Sequence, residues 1–357
     1  MARYKRVSII GHFGGTESLL DGQTVKTKIL YQELSQNTNW IIHKVDTYYR
    51  KNAPWKLFWQ LLIALLTTRD VIIITSQNGR RFLFPVLYFF SKVFGTRVYH
   101  DVIGARLAKF TEEHPPFKKY LNSFRVNWVE TASLKRDLEA VGVTNAVLLP
   151  NFKKLKIVSA DDCKVHVVEP YRLCTFSRVM REKGIENAVR AIVEINTKRI
   201  SPLYLLDIFG PVDSKQTAWF EKMQAEFPEY VTYRGEVHYS QSVDTLKEYF
   251  ALLFPTLYRT EGVPGTIIDA YAAGLPVIAS MWESFSDVVD HGITGYGYAF
   301  SDNNALIDLL TKIGDNPQMI TDLKKNCTKK AEMYLPEQSV GKIIRTITEE
   351  NEFKNLR

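Results

Sequence analysis

The chain has 357 residues, is 45% hydrophobic and 24% charged, and carries a formal net charge of +7. These are ordinary globular values in a chain long enough for two domains, and they exclude a low-complexity or linker-dominated protein. Three cysteines, Cys163, Cys174 and Cys327, lie far apart without metal-ligand spacing, which excludes a disulfide framework and fits a reduced, cytosolic compartment.

The charge is unevenly placed. Residues 1–156 hold 24 Lys and Arg against 11 Asp and Glu, a net of +13; the remainder holds 22 against 28, a net of −6. A basic first half calls for an anionic partner: a membrane surface, a lipid pyrophosphate or a nucleic acid. An ordinary solvated basic surface explains the same count.

In chain order, short Val- and Ile-rich runs predict strands at Val7–Ile10, Ile41–Val45, Val71–Thr75, Arg97–His100, Asn127–Glu130 and Ala146–Leu149. Helix-length stretches fall between them at Thr24–Leu34, Lys56–Leu66 and Ser133–Ala140. Leu57–Leu66 and Phe82–Phe94 are the most apolar runs. Neither reaches the ~20 residues that span a bilayer, so they read as buried helices, with membrane contact by part of one left open. Pro150-Asn151 and the basic stretch after it interrupt the pattern, and the domain boundary is expected near Lys156.

The alternation then restarts. Strands are predicted at Leu173–Phe176, Leu205–Phe209, Val231–Tyr233, Leu252–Phe254, Val277–Ala279 and Tyr296–Phe300. Helices are predicted at Ile185–Asn196, Ala218–Glu226, Ser242–Tyr249, Thr266–Ala273 and Ala305–Ile313, with a last one at Glu337–Glu350. The expected fold is α/β: two tandem Rossmann-like doubly wound parallel-sheet domains, residues 1–156 and 157–335, with an interdomain cleft as the binding site and the 336–357 helix packing across both.

One segment stands out, Arg259–Ser280, "RTEGVPGTIIDAYAAGLPVIAS". Glu261 falls on a loop at a strand's carboxyl end, where open α/β sheets bind ligands. The amides near Gly265 and Thr266 open a helix and suit an anion or a sugar hydroxyl. Asp269 falls in that helix's first turn, where its carboxylate can accept from a ribose diol. Read singly, Asp269 only complements the helix dipole and Glu261 is a solvated acid.

This segment resembles the signature of retaining glycosyltransferases of family 4, which have the GT-B fold: E-G-F-G, a second glutamate separated from the first by seven residues, then G-x-P-V-I. Here it stands as Glu261, Gly262, Val263, Pro264, Gly265, then Asp269 in place of Glu, with Gly274, Pro276 and Val277 closing it. The resemblance implies that Glu261 contacts the donor sugar and Asp269 the nucleotide ribose. "TFSRVMREKG" is similar to the family's stretch around G-R-L and E-K-G, with Ser177 replacing the glycine. Arg178 and Lys183 then correspond to the pair that holds the donor diphosphate, two fixed cations where a leaving group gathers charge.

Softer matches lie upstream. Gly14 and Gly15 permit close backbone approach, and the resemblance lays this loop against the donor phosphates and the acceptor. His100, read as a strand-end residue, corresponds to a histidine that touches the donor sugar; Asp101 follows it as an acceptor contact. Lys118, Lys119 and Arg125, interleaved with Phe117, Tyr120 and Phe124, form the basic aromatic patch expected at an acceptor or membrane surface.

The resemblance therefore implies a retaining, metal-independent hexosyl transfer from a nucleotide-diphosphate sugar, with a UDP-sugar expected and no cofactor. The expected acceptor is a lipid-linked glycan of a bacterial surface polysaccharide, such as a capsule or exopolysaccharide. The enzyme is expected in the cytoplasm, peripheral at the inner leaflet, with no nucleic-acid partner. A nucleotide-sugar epimerase of the same fold, or a non-catalytic binding subunit, are the alternatives; the second draws on Asp269 and Ser177.

Overall fold

A computed structural model describes residues 4–17, 22–163 and 168–355. The chain forms two compact units, Met1–Lys154 with Tyr334–Arg357, and Leu155–Met333.

In the first unit six parallel strands form one sheet in the order β2-β1-β3-β4-β5-β6. They are β1 (Arg6–Gly11), β2 (Ile41–Asp46), β3 (Asp70–Thr75), β4 (Arg97–Val102), β5 (Val126–Val129) and β6 (Ala146–Leu148). The principal helices are α1 (Gly22–Asn37), α2 (Pro54–Thr67), α3 (Gln77–Val93), α4 (Pro116–Ser123) and α5 (Ala132–Ala140). Strand periodicity divides the core cleanly. On β3, Val71 and Ile73 join the cluster under α2, α3 and α4, while Ile72 and Ile74 join a second cluster on the opposite face with Leu30 and Leu34 of α1. Burial on both faces explains why β3, a central strand, is a continuous β-branched run rather than an alternating one.

In the second unit the order is β12-β11-β10-β7-β8-β9, again all parallel. The strands are β7 (Tyr171–Phe176), β8 (Tyr204–Phe209), β9 (Val231–Gly235), β10 (Ala251–Phe254), β11 (Val277–Ser280) and β12 (Gly295–Tyr298). The helices used below are α6 (Ile185–Thr197), α7 (Gly265–Ala272) and α8 (Asn303–Asp315). The strand order reverses between β7 and β10, so the loops after these two strands open at the sheet's switch point.

The last helix, α9 (Pro336–Asn355), belongs to the first unit. Its Val340, Ile343 and Ile347 are buried with Val7, Ile9, Ile72 and Trp128 on the α1 face of that sheet. Lys5 Nζ donates to the carbonyl of Ile347 at 2.6 Å, and Ser339 Oγ to that of Pro150 at 2.9 Å.

The helices formed by the two apolar runs of the first unit, α2 and α3, are only half buried, against the expectation of burial. Leu57, Leu61, Ala64 and Leu65 of α2 and Leu83, Phe84 and Leu87 of α3 face the sheet, and the opposite stripes are exposed. Among the described residues no helix is long and apolar enough to cross a membrane.

Candidate active site

The site is built on the loops that follow β7 and β10. After β7 the chain makes a tight turn, Arg181–Lys183, and passes through Gly184 at φ +69° into α6. A Cβ at Gly184 would lie 1.8 Å from the carbonyl oxygen of Pro255, so only glycine lets this turn lie against the end of β10. The backbone N–H of Leu257 donates to the carbonyl of Glu182 at 2.9 Å, which stitches the two loops together.

That packing brings Lys183 and Glu261, 78 positions apart in the chain, into a direct ion pair. Their side chains are 21% and 15% exposed, so both charges are held in place yet open to a ligand. Thr256, fully buried, donates to Glu261 Oε1 at 3.2 Å and accepts from the backbone N–H of Tyr258 at 3.1 Å. It aims the carboxylate, and sequence reasoning did not single it out. Its signal is its place immediately after the Phe254-Pro255 strand end.

Gly262 is half buried, and Gly265 opens α7 with open space where a Cβ would stand. The first amides of this helix have no intrahelical acceptor. Thr266 Oγ1 is buried without a hydrogen-bond partner among the described residues. Asp269 departs from expectation. The helix starts one residue earlier than predicted, so Asp269 occupies its second turn, and it is 3% exposed. Arg178 is 55% exposed and lies 3.7 Å from Asp213 Oδ2. The structure brings Lys183 and Glu261 together and leaves Arg178 exposed earlier on the same loop as Lys183. A depression of about 610 Å³ in this unit is lined by Asn187, Arg190, Leu257, Asp302 and Asn303.

In the first unit the two predicted strand residues, His100 and Asp101, are buried. His100 is the fourth of six residues in β4, not a strand end, and is 0% exposed. The strand runs on to Val102 because β3 pairs with it throughout. Asn127 spends its amide hydrogens on Leu121 and Asn145, so its Oδ1 accepts from His100 Nδ1 at 3.0 Å. Phe84 and Phe124 stand edge-on to the imidazole. Burial, reinforced by the Arg80 guanidinium, pushes its pKa down to about 3, so it is neutral and buried.

Asp101 is likewise internal, and this corrects its assignment to an acceptor or membrane surface. It pairs with Lys26 of α1 at 2.7 Å, and Lys26 also holds Glu130 at 2.9 Å. Burial pushes Asp101 up against the pull of Lys26. Burial alone would lower the Lys26 ammonium, but the two carboxylates hold it above its usual range. Buried charges persist only when paired in this way.

Gly14 and Gly15 both adopt positive φ, +85° and +57°. Residues 18–21 of the same predicted loop lie outside the described residues. Asp46, unforeseen from sequence, accepts from the amides of Phe13, at 2.9 Å, and Gly15, at 2.8 Å. These two donors are satisfied by a carboxylate of the chain itself. Lys118 and Lys119 are exposed on α4, with Lys119 Nζ 5.0 Å from the Tyr88 ring, and Arg125 is exposed just beyond it.

Residues 160–332 match the family model of glycosyl transferases group 1. The chain carries a group 1 glycosyltransferase domain. This domain coincides with the second unit and contains Arg178, Lys183, Glu261 and Asp269. The chain is similar to the amylovoran biosynthesis glycosyltransferase AmsK of Erwinia amylovora, 23% identical over 49% of this chain and 42% of that protein. It is also similar to a putative colanic acid biosynthesis glycosyltransferase, WcaL, of Salmonella typhimurium, 22% identical over 38% of this chain and 34% of that one. The matches thus span less than half the length of either relative. Among solved structures, Anabaena HepE in complex with UDP and glucose superposes with a TM-score of 0.71 at 12% identity, covering 98% of this chain and 100% of that one. Together with the two six-stranded parallel sheets, this likeness shows the expected GT-B fold, with the group 1 domain as its second Rossmann-like unit.

Proposed function

We propose that the protein is a retaining glycosyltransferase that moves a hexosyl group from a nucleotide-diphosphate sugar, with UDP as the nucleotide, to a hydroxyl of a lipid-linked glycan in polysaccharide synthesis. The observation that carries this reading is the ion pair of Lys183 with Glu261 beside the first turn of α7, inside the group 1 domain. The polysaccharide assignment draws on the names of AmsK and WcaL, and the choice of UDP on the ligand of HepE.

In this reading the donor diphosphate takes Lys183 and Arg178 as counter-charges and the amides of Gly265 and Thr266 as donors. As the bond from the anomeric carbon to the phosphate oxygen breaks, negative charge gathers on the diphosphate, and fixed cations stabilise that charge more than the ground state. The acceptor oxygen bonds the anomeric carbon on the same face, and its proton passes to the departing phosphate oxygen. Glu261, released from Lys183 by the incoming phosphates, is free to accept from a sugar hydroxyl. The paired cations fill the role a divalent metal plays elsewhere, so transfer proceeds without one. The protein works at the inner leaflet, where its acceptor is anchored, and Lys118, Lys119 and Arg125 face the anionic surface.

A thermal-shift panel of UDP, GDP, dTDP and ADP, with and without a chelator, tests this reading, followed by release of the nucleotide from its sugar. Stabilisation by UDP alone, insensitive to chelation and lost in Arg178→Ala, is the expected result. No stabilisation by any nucleotide would overturn the transferase reading in favour of a non-catalytic subunit.

A further inference from the structure

The first unit carries a surface that the chemistry above does not use. On α2, Trp55, Phe58, Trp59, Ile63 and Leu66 are each between 51% and 68% exposed. Their spacing puts them on one stripe, opposite the leucines that face the sheet. On α3, Phe82, Phe89 and Val93, with Phe94 just after, are exposed to the same degree. Both helices bury their inner stripes in one core cluster on one face of the sheet, so both outer stripes point away from that face. Large apolar side chains left in water on two helices over one face of the sheet mark an interaction surface.

Charge selects the partner. Between residues 47 and 100 there are eight Lys and Arg and one acid, Asp70, which is buried and paired with Arg97 at 2.5 Å. Arg50, Lys51 and Lys56 border the start of α2, and Lys92 the end of α3. Next along is α4 with Lys118 and Lys119, joined to α3 through the Tyr88–Tyr120 ring contact at 5.3 Å. Along the chain after Tyr48 the first exposed acids are Glu112 and Glu113, while the exposed Glu17 accepts from the Tyr48 hydroxyl. A second copy docking face to face would set these cations against themselves. An anionic bilayer satisfies both features, because aromatic side chains settle at the headgroup level and each nearby cation adds attraction to anionic lipid.

We propose that the outer stripes of α2 and α3 lie in the plane of an anionic membrane, with Trp55, Phe58, Trp59 and Phe89 seated among the headgroups and the flanking lysines and arginines on the lipid phosphates. This deepens the inner-leaflet placement proposed above and names its contact surface. It stands apart from the sugar chemistry, since docking is read on vesicles and transfer by nucleotide release.

The test is co-sedimentation of the full chain with mixed phosphatidylcholine–phosphatidylglycerol vesicles and with pure phosphatidylcholine vesicles. Binding to the mixed vesicles, weak binding to the neutral ones and a blue shift of tryptophan emission are expected. The variant Phe58→Ser/Trp59→Ser/Phe89→Ser should lower the partition coefficient about tenfold or more with unchanged nucleotide-induced thermal shift. Lys118→Glu/Lys119→Glu should reduce the preference for anionic lipid and keep the emission shift. Failure of the wild type to bind mixed vesicles, or equal binding by the triple variant, would overturn the proposal. So would a concentration-dependent dimer, lost in the triple variant, in place of vesicle binding.

Discussion

At the residue scale, the Lys183–Glu261 pair makes a prediction that separates two functions. If Lys183 serves the diphosphate and Glu261 the sugar, Lys183→Ala should abolish the thermal shift produced by UDP, and Glu261→Gln should keep it. Both should lower kcat/KM by about a hundredfold or more, as removal of one preorganised charge does. Loss of the UDP shift in both variants would assign both residues to the nucleotide. His100 makes a different prediction. Its folded pKa, about 3, lies below its ordinary value of 6.5, so the unfolded chain takes up a proton that the folded chain refuses. The contribution is full above about pH 6.5 and is lost on acidification towards pH 3, at up to about 1.4 kcal/mol per pH unit. In urea titrations His100→Gln should flatten the stability profile in that window, whatever its effect at neutral pH.

Residues of this kind show what a sequence discloses. Glu261 and Lys183 were legible because each sits at the carboxyl end of a strand within a recognisable pattern of glycines. Asp46 was not, because its role depends on register: β2 pairs Asp46 with Gly11, and only that pairing sets its carboxylate under the amides of the glycine loop. The Lys26–Asp101–Glu130 cluster was hidden for the same reason, since its members come from a helix, a strand and a loop 75 to 104 positions apart.

At the scale of elements, all twelve strands overlap the stretches where strands were expected, and the errors lie at their ends. β4 extends two residues beyond its expected end at His100 because strand pairing, not composition, ends a strand. That shift alone turned His100 and Asp101 from rim to core. Helices α2 and α3 erred in another way. Each carries large apolar side chains on its outer stripe as well as its inner one, so apolarity alone marked both stripes for burial, and only the sheet showed which one is covered. The turn into α6 yields a prediction at this scale. Gly184→Ala adds a methyl group at φ +69° against the Pro255 carbonyl. It should destabilise the group 1 domain by about 1–3 kcal/mol and weaken UDP binding by displacing Lys183. Denaturant unfolding followed by Trp219 and Trp282 emission, both in this domain, measures the first effect. An unchanged midpoint would contradict the tight fit described for this turn.

For the whole molecule, α9 ties the far end of the chain to the first unit. Ile343 is fully buried against β1 and β3 side chains in that unit's second core cluster. Ile343→Ala should cost about 2–5 kcal/mol, and the loss should fall on the first unit, with the group 1 domain unfolding as before. Scanning calorimetry of the full chain reads this as one transition moving down while the other holds. A shift of both together would mean that the two units unfold as one.

The backbone N–H of Lys153 donates to the carbonyl of Tyr334 at 2.9 Å, which joins the points where the chain leaves the first unit and re-enters it. The group 1 domain is therefore an insertion, entered and left at neighbouring positions. On the ribosome this reverses the usual order in which the amino-terminal domain matures first. The sheet of the first unit emerges early but lacks the helix that covers its α1 face until the whole inserted domain has been made. Stalled chains of increasing length should show the inserted domain becoming protease-resistant before the sheet that precedes it. During that interval the exposed valines and isoleucines of the first sheet are the nascent chain's point of greatest need for a chaperone.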